Sequence, residues 1–331
     1  MRALLDVRGL QVDFEADTGP VRVLNGMDLT VEAGQSVGVV GESGSGKTVL
    51  LRTILGLLQD RWRVGAGAVT FDGQDLRAKT ETQMNAIRGA EIALTTPEPR
   101  KHLNPLLRIG EQIVNVLRAH ERIDRRAARD KAVQLLRAVG IPAPEERVFS
   151  YPHEMSGGMC QRVIIAMALA HSPRLLLADE PTAGLDVTIS RQILDLMSTL
   201  IRDTGSSLLL VSRDLGVVAH YCQTIAVVYA GQVAETAPVA AFFENPAHPY
   251  SRRLLRVATA AHETTPLAGG PAVRERTAGL DHMCSFAPRC PIALPTCRQA
   301  PVPLLGNIGP NRSARCIRAA EILSGAVNPW P

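Results

Sequence analysis

Residues 35–48 read Gln-Ser-Val-Gly-Val-Val-Gly-Glu-Ser-Gly-Ser-Gly-Lys-Thr, and this stretch decides the fold. Residues 35–40 have the pattern of a buried strand, residues 41–48 form a glycine-rich loop, and residues 49–58 continue as an apolar helix. Backbone N–H groups of such a loop can surround a phosphate, and the N-terminus of the following helix adds a partial positive charge. This order of strand, loop and helix predicts a phosphate-binding loop in an α/β fold.

The side chains of this loop complete the predicted nucleotide site. Lys47 is expected to act in catalysis by reaching the β- and γ-phosphates of ATP, and the Thr48 hydroxyl is expected to bind Mg²⁺. The other predicted contacts come from the loop's glycines and serines and from the next helical residue: Gly41, Ser43, Gly44, Ser45, Gly46 and Val49.

An acidic pair, Asp179 and Glu180, follows the apolar run Leu175–Ala178. Because ligands bind at the carboxyl ends of strands in α/β sheets, we expect this pair near the phosphates. Asp179 would hold Mg²⁺ through water, and Glu180 would orient or deprotonate the attacking water. Two such acids can also cap a helix, but the segment 181–186, Pro-Thr-Ala-Gly-Leu-Asp, favours the catalytic interpretation.

Strand-like and helical runs alternate over the rest of the chain. Strands are expected at Ser207–Val211 and Thr224–Tyr229, and the alternation in Leu10–Phe14 predicts an edge strand of an antiparallel sheet. Residues 97 to about 170 are mostly helical in pattern. Alternating strands and helices indicate an α/β core with a mainly parallel sheet.

The segment Tyr151-Pro-His-Glu-Met-Ser-Gly-Gly-Met-Cys-Gln-Arg162 resembles the signature of the ATP-binding cassette (ABC) family. With the loop and the acidic pair, the resemblance covers residues 4 to about 240. Within the family the chain is similar to the ATP-binding subunits of peptide and nickel importers, as Leu103-Asn-Pro105, Leu215-Gly-Val-Val-Ala219 and Asn245-Pro-Ala-His-Pro-Tyr250 indicate.

The resemblance implies a P-loop cassette over residues 1–250, with a RecA-like parallel sheet, an antiparallel β subdomain and a helical subdomain at about 97–170. It also implies two cassettes packed head to tail with two ATP molecules between them. Ser156, Gly157 and Gly158 would then cap the γ-phosphate of the partner's ATP. Phe14 is a candidate to stack on the adenine, and packing within the sheet is an equally open role for it.

Two positions depart from the family's pattern. Where the family has a Gln that touches Mg²⁺ and the attacking water, this chain has Pro97, which lacks a side-chain amide and a backbone N–H. The neighbouring hydroxyls of Thr95 and Thr96 are shorter and offset. Where the family has a His, this chain has Arg213, a permanent cation that can hold phosphate but accepts no hydrogen bond.

Loss of one well-placed polar group from such a site typically costs about 10²–10³ in rate. We therefore expect this chain's own site to turn ATP over slowly, while its intact signature completes the site of a different ABC ATPase subunit in a heterodimer. The alternative is that Arg213 and local waters substitute well enough, and the retained Glu180 favours it.

Four of the six cysteines, Cys284, Cys290, Cys297 and Cys316, cluster in a segment rich in proline. Zinc sites usually contain short Cys-x-x-Cys hooks, which are missing, and the spacings suit a thiolate-bound iron–sulfur cluster at least as well. The segment 284–290 also resembles the C-terminal extension of peptide-importer ATPases, whose four cysteines are associated with a [4Fe–4S] cluster. We predict a small Cys-rich module over residues 251–331, with zinc or unliganded thiols as alternatives.

Composition narrows the function class. The net charge of +4 is mild and does not by itself imply nucleic acid. No segment reaches the ~18 uncharged apolar residues of a membrane span, and the first residues lack the pattern of a secretory signal. Long coiled-coil insertions and a second cassette, which a DNA-repair ABC ATPase would have, do not occur in the sequence.

The expected function is an ATPase subunit that couples ATP binding and hydrolysis to uptake of peptides, nickel chelates or opines. It would lie peripherally on the cytoplasmic face of a bacterial inner membrane, with two transmembrane permease subunits and, indirectly, an extracytoplasmic substrate-binding protein. The alternative is a non-catalytic nucleotide-binding subunit of the same complex.

Overall fold

The computed structural model describes residues 3–259, 283–299 and 304–330. Its strands are β1 Ala3–Ala16, β2 Gly19–Glu32, β3 Ser36–Val40, β4 Trp62–Val64, β5 Ala68–Phe71, β6 Gln74–Asp75, β7 Ile92–Thr95, β8 Leu175–Asp179, β9 Ser207–Val211, β10 Thr224–Tyr229, β11 Gln232–Pro238, β12 Gly306–Gly309 and β13 Arg312–Ala314. Its helices are α1 Lys47–Ile54, α2 Glu81–Ile87, α3 Pro99–His102, α4 Ile109–His120, α5 Arg125–Ala138, α6 Pro144–Arg147, α7 Gly157–Ala168, α8 Val187–Thr204, α9 Leu215–Tyr221, α10 Val239–Glu244, α11 Pro249–Thr259 and α12 Ala319–Leu323.

The chain divides into two compact units. The first unit comprises Met1–Glu32, Ser36–Ala78 and Leu210–Pro331, and the second comprises Ala33–Gln35 and Lys79–Leu209. No helix of the described ranges is long and apolar enough to cross a bilayer.

The first unit contains an antiparallel sheet in the order β2-β1-β5-β6, with β4 also paired to β1. β1 alternates buried and more exposed residues, but the phase changes between Val7 and Leu10, where the register with β2 shifts and Gly9 has a φ of +55°. Because of this bulge, the alternating buried residues are at positions 5 and 7 before Gly9 and at positions 10 and 12 after it. The prediction of an edge strand at Leu10–Phe14 is wrong, because β1 is paired on both sides; alternation reports a half-buried strand and not its place in the sheet.

A mixed sheet in the first unit carries the phosphate loop. Its strand order is β12-β13-β11-β10-β3, and β10 is parallel to β3 and antiparallel to β11. Val37, Val39 and Val40 of β3 are fully buried, as an apolar strand covered on both faces requires. The last strands join through the pairing of β13 with β11, so residues 304–330 belong to the same packed body.

In the second unit, β7 and β8 are parallel neighbours in the order β9-β8-β7, and β9 continues along the chain into the first unit. Helices α3 to α7 occupy the stretch between β7 and β8. Their apolar faces form the interior of this unit, and Ala132 and Leu136 of α5 are fully buried where it packs on α4 and α7. The domain limits at 250/251 and about 97–170 stay predictions.

Candidate nucleotide site and cysteine cluster

The phosphate loop lies between the end of β3 and the start of α1 in the first unit. Gly46 caps α1 with a φ of +102°, a backbone conformation that glycine adopts without strain. A Cβ on Gly41 would lie 2.1 Å from the carbonyl oxygen of Val228, so the loop approaches the neighbouring strand too closely for any side chain at this position. The loop thus requires the glycines that the sequence supplies.

Lys47 is held inside this loop and is only 6% exposed. Its Nζ donates to the carbonyl oxygens of Gly41 and Glu42, at 2.8 and 2.9 Å, and to the Ser45 hydroxyl at 3.3 Å. The backbone of Ser45 is fixed in turn, because its carbonyl accepts from the N–H of Gly231 at 3.0 Å. The Lys47 amine therefore lies within the loop at the start of α1, where an anionic phosphate is favoured. Thr48 and Val49 continue in the first turn of that helix, and Ser43 and Gly44 form the outer part of the loop.

The acidic pair lies at the carboxyl end of β8 in the second unit. Asp179 is the last residue of the strand and is buried, and Glu180 follows with a φ of +43°. Such a conformation is costly for a non-glycine residue and is found at functional sites. The alternative role as a helix cap is wrong: the residue that caps α8 is Asp186, which accepts from the N–H of Ile189 at 2.9 Å.

The signature segment places Ser156 as the N-cap of α7, where its hydroxyl accepts from the N–H of Met159 at 3.2 Å. Ser156 is exposed and Gly157 and Gly158 are half-buried. A Cβ on Gly158 would lie 2.8 Å from Ile189 of α8, so this glycine permits close packing of the two helices. Ser156 therefore shapes the start of α7 while remaining accessible.

The first unusual position lies just beyond β7. Thr95 is paired with Ala178 in the β7–β8 ladder, so Thr96 stands beside Asp179. Thr95 is fully buried, and among the described residues its hydroxyl has no hydrogen-bond partner. Pro97 and Glu98 follow, and Glu98 has a φ of +62° at the start of α3. The segment therefore presents hydroxyls and a carboxylate, with no side-chain amide.

The second unusual position, Arg213, follows β9 in the first unit and is exposed. Its neighbours are fixed: the N–H of Ser212 donates to Val39 at 3.1 Å, and Asp214 caps α9 by accepting from Gly216 at 2.7 Å. The adjoining bond to Val39 places Arg213 near the end of β3, from which the phosphate loop starts.

Phe14 lies in β1 opposite Trp62 of β4, with ring centroids 4.9 Å apart. The guanidinium of Arg61 also lies over the Phe14 ring, at 5.3 Å. The ring is half-buried in these contacts, so its role in packing the sheet has direct support, and its predicted contact with adenine stays a prediction.

Cys284, Cys290, Cys297 and Cys316 line one apolar cavity of the first unit. Burial raises the pKa of the thiols of Cys290 and Cys316 to about 11 and about 12, and the neighbouring thiols add to the shift. In the described ranges, no group of three or more His, Cys, Asp or Glu residues is arranged to hold a metal ion. The predicted metal centre is therefore not supported by the described residues, although the four cysteines line the same cavity.

The other two cysteines lie in the interior of the chain. Cys160 in α7 and Cys222 after α9 are buried, and burial raises the pKa of Cys222 to about 12. Glu42 is a residue of the loop that was not predicted to have a role, and its partner Arg289 lies 247 residues away in the chain. No local spacing signals that contact.

Two family models match the chain: "ABC transporter" over residues 24–183, and "oligopeptide/dipeptide transporter, C-terminal region" over residues 234–297. A probable peptide ABC transporter ATP-binding protein of Sinorhizobium fredii is 43% identical, over 97% of this chain and 96% of its own length. The oligopeptide transport ATP-binding protein OppD of Salmonella typhimurium is 39% identical, over 97% of this chain and 95% of its own length. The dipeptide transport ATP-binding protein DppD of Escherichia coli is 41% identical, over 95% and 96%.

Solved structures are similar in fold. A dimeric ATP-binding cassette in a post-hydrolysis state, bound to ADP and Pi, superposes with a TM-score of 0.64 at 24% identity and covers 71% of this chain and 98% of its own. A dimeric bacterial ABC transporter cassette gives the same TM-score at 25% identity, with the same coverage. The expected cassette fold with mixed α/β sheets is confirmed.

Proposed function

Since this chain belongs to the family of ATP-binding proteins of peptide ABC transporters, we propose that it drives uptake of peptides or related small solutes by binding and hydrolysing ATP in a membrane complex. The observation that carries the proposal is the phosphate loop, in which Lys47 is buried and its Nζ donates to the loop carbonyls of Gly41 and Glu42. The acidic pair after β8 and the exposed cap of α7 add the remaining parts that such an ATPase needs.

The proposed roles follow the chemistry of each group. The backbone N–H groups of the loop and the ammonium of Lys47 bind the phosphates of ATP. The Thr48 hydroxyl is a ligand of Mg²⁺ and Asp179 holds the ion through water; when it is bound, Mg²⁺ neutralises charge on the phosphates. Glu180, whose backbone has a φ of +43°, orients the attacking water or accepts its proton.

We further propose that this chain's own ATP site is degenerate. Pro97 supplies no amide beside the acidic pair, and Arg213 is a cation with no acceptor where a histidine would serve both roles. The signature at Ser156 is intact and exposed, so it can complete the ATP site of a second cassette. A heterodimer with an intact partner cassette follows, since two copies of this chain would contain two slow sites. The alternative remains a subunit whose ATP only stabilises the dimer.

The proposed membrane partners bind the second unit. Leu106 is 83% exposed and Phe149 is 46% exposed. Phe149, Leu107 and Val114 line a groove together with Arg118 and other charged side chains. Exposed apolar residues around a groove mark protein interaction sites, and helices of two permease subunits would fit here. In this proposal the chain lies on the cytoplasmic face of the inner membrane, and a substrate-binding protein acts on the opposite side.

ATP-dependent uptake of a labelled peptide into proteoliposomes that contain the whole complex tests the proposed function. The Lys47→Ala variant should lose uptake, and Arg52→Ala, on the exposed face of the same helix, should keep it. Equal uptake by both variants would refute the role of the loop. Nickel chelates and opines offered in place of the peptide would identify the solute.

We also propose that the four clustered cysteines bind a [4Fe–4S] cluster. Each iron of such a cluster takes one thiolate, so four sulfurs around a cavity suit it although they do not suit a single ion. Iron and acid-labile sulfide, measured on the chain purified without oxygen, should both approach four per chain and fall in Cys290→Ser. The absence of both from the wild-type chain would refute this proposal.

A further inference from the structure

Glu42 lies inside the phosphate loop, and each of its polar groups has a partner. Its carboxylate oxygens accept from Nη1 of Arg289 at 3.2 and 3.1 Å. Its backbone N–H donates to the Tyr250 hydroxyl at 3.0 Å, and its carbonyl oxygen accepts from Nζ of Lys47 at 2.9 Å. Glu42 thus links Lys47, the proposed phosphate-binding lysine, to Tyr250 and Arg289, which lie far along the chain.

Arg289 is itself held from several sides. It lies in the turn between Cys284 and Cys290, and its Nη1 is 3.4 Å from the Tyr229 hydroxyl. Its side chain is only 16% exposed. Phe286 of the same turn packs against the rings of Tyr229 and Tyr250, at 5.2 and 5.5 Å between centroids.

The turn has a defined backbone. The N–H of Ala287 donates to the carbonyl of Cys284 at 2.9 Å, and the N–H of Arg289 donates to that of Phe286 at 2.9 Å. The N–H of Cys284 donates to the carbonyl of Cys297 at 3.0 Å. The guanidinium is therefore presented to the loop from a rigid base.

The charge of Glu42 gives this contact a consequence for nucleotide binding. A carboxylate in a loop that binds an anion repels it, unless a cation neutralises the carboxylate. We propose that Arg289 is a positioning residue of the nucleotide site: it neutralises Glu42 and fixes the loop, so that the cysteine-bearing turn sets the affinity for ATP. The inference rests on the proposed function of the loop.

The alternative is that the ion pair between Glu42 and Arg289 only attaches the C-terminal segment to the loop, and this alternative predicts different effects of substitution. Either single substitution would then break the pair and have a similar effect. If Arg289 neutralises Glu42, removal of the arginine exposes a negative charge beside the phosphates, whereas removal of the glutamate does not. Arg253 interacts electrostatically with both residues, so the loss of Arg289 is partly compensated and a modest factor is expected.

The test measures the dissociation constant of MgATP for the full-length chain by calorimetry. Arg289→Met should raise this dissociation constant by about 3- to 30-fold, as expected for one partly screened unit charge. Arg289→Lys should recover most of the loss. Glu42→Gln should bind no more weakly than wild type, and the double variant should return to within about twofold of it.

Arg318→Met is the matched control, because Arg318 pairs with Glu321 in the same C-terminal segment and donates to Ile292 without contacting the loop. Melting temperatures of all variants show whether the fold is kept. Equal weakening by Glu42→Gln and Arg289→Met, equal weakening by Arg318→Met, or unchanged affinity in Arg289→Met would overturn the inference. A wild-type chain that does not bind MgATP would instead refute the proposed function.

Discussion

Acid should destabilise the first unit through His248. This residue is 3% exposed, and its Nδ1 accepts from the N–H of Tyr250 at 3.0 Å, so the ring is neutral in the folded chain. Burial lowers the pKa of His248 from 6.5 to about 3. The unfolded chain therefore binds a proton at pH values where the folded chain does not. The stability from this residue is complete above pH 6.5 and is lost as the pH falls towards 3.

The size of the effect follows from linkage. Each pKa unit corresponds to about 1.36 kcal/mol, so the full loss near pH 3 is about 5 kcal/mol. Between pH 7.5 and pH 5, a group with these two pKa values loses about 2 kcal/mol of unfolding free energy. A variant with a non-titratable side chain at position 248 should lack this contribution to the pH dependence of stability.

Urea unfolding at pH 7.5, 6 and 5 measures this loss of unfolding free energy. Trp330 is a suitable fluorescent reporter, because its indole N–H donates to the carbonyl of Pro249 at 2.9 Å, next to His248. His248→Asn keeps a hydrogen-bond acceptor and should be less stable at pH 7.5, but its loss on acidification should be about 2 kcal/mol smaller than that of wild type. Identical pH dependence in the two chains would refute the reasoning.

Three further substitutions have expected outcomes. Gly41→Ala forces a Cβ to 2.1 Å from the backbone of Val228. It should lower the stability by about 1–3 kcal/mol, measured by thermal melting, and abolish ATP binding, measured by calorimetry; normal ATP affinity would contradict the loop geometry. Leu136→Ala removes a fully buried side chain of α5 and should lower the free energy of unfolding in urea by about 2–5 kcal/mol. The control Arg137→Ala changes an exposed residue of the same helix and should lower it by less than about 0.5 kcal/mol. Leu106→Ser removes an exposed apolar side chain next to the groove. It should change stability by less than about 0.5 kcal/mol but reduce copurification with the permease subunits, and undiminished copurification would argue against a permease contact at Leu106.

The local patterns of the sequence predicted the parts of the site that are built from neighbouring residues. The predicted strands at Ser207–Val211 and Thr224–Tyr229 coincide with β9 and β10. The loop after β3 follows the predicted order, because glycine spacing and an apolar strand are sufficient to specify it.

The end of α1 shows where a local signal was overlooked. The apolar run predicted a helix to residue 58, but α1 ends at Ile54. Gly56 has a φ of +62°, and the N–H of Leu57 donates back to Arg52 at 2.8 Å. This is the glycine-terminated end that helices commonly have, and it outweighs the apolar periodicity.

Contacts between distant segments could not be predicted in this way. The approach of Arg289 to Glu42 depends on the pairing of β13 with β11 and on the packing of Phe286 between two tyrosines. Neither feature has a period or a spacing that one sequence displays. The burial of the Thr95 hydroxyl, for which the described part of the chain offers no hydrogen-bond partner, likewise results from the fold and not from its neighbours in the chain.

The most direct test of the central claim, that this chain's own ATP site is degenerate while its signature serves a partner, is ATP turnover by the purified membrane complex. Two variants are compared: Glu180→Gln, which removes the proposed base from this chain's own site, and Ser156→Arg, which blocks the signature. The account predicts that Glu180→Gln keeps most of the turnover and that Ser156→Arg abolishes it. If Glu180→Gln alone stops turnover, this site hydrolyses ATP despite Pro97 and Arg213, and the asymmetric account is wrong.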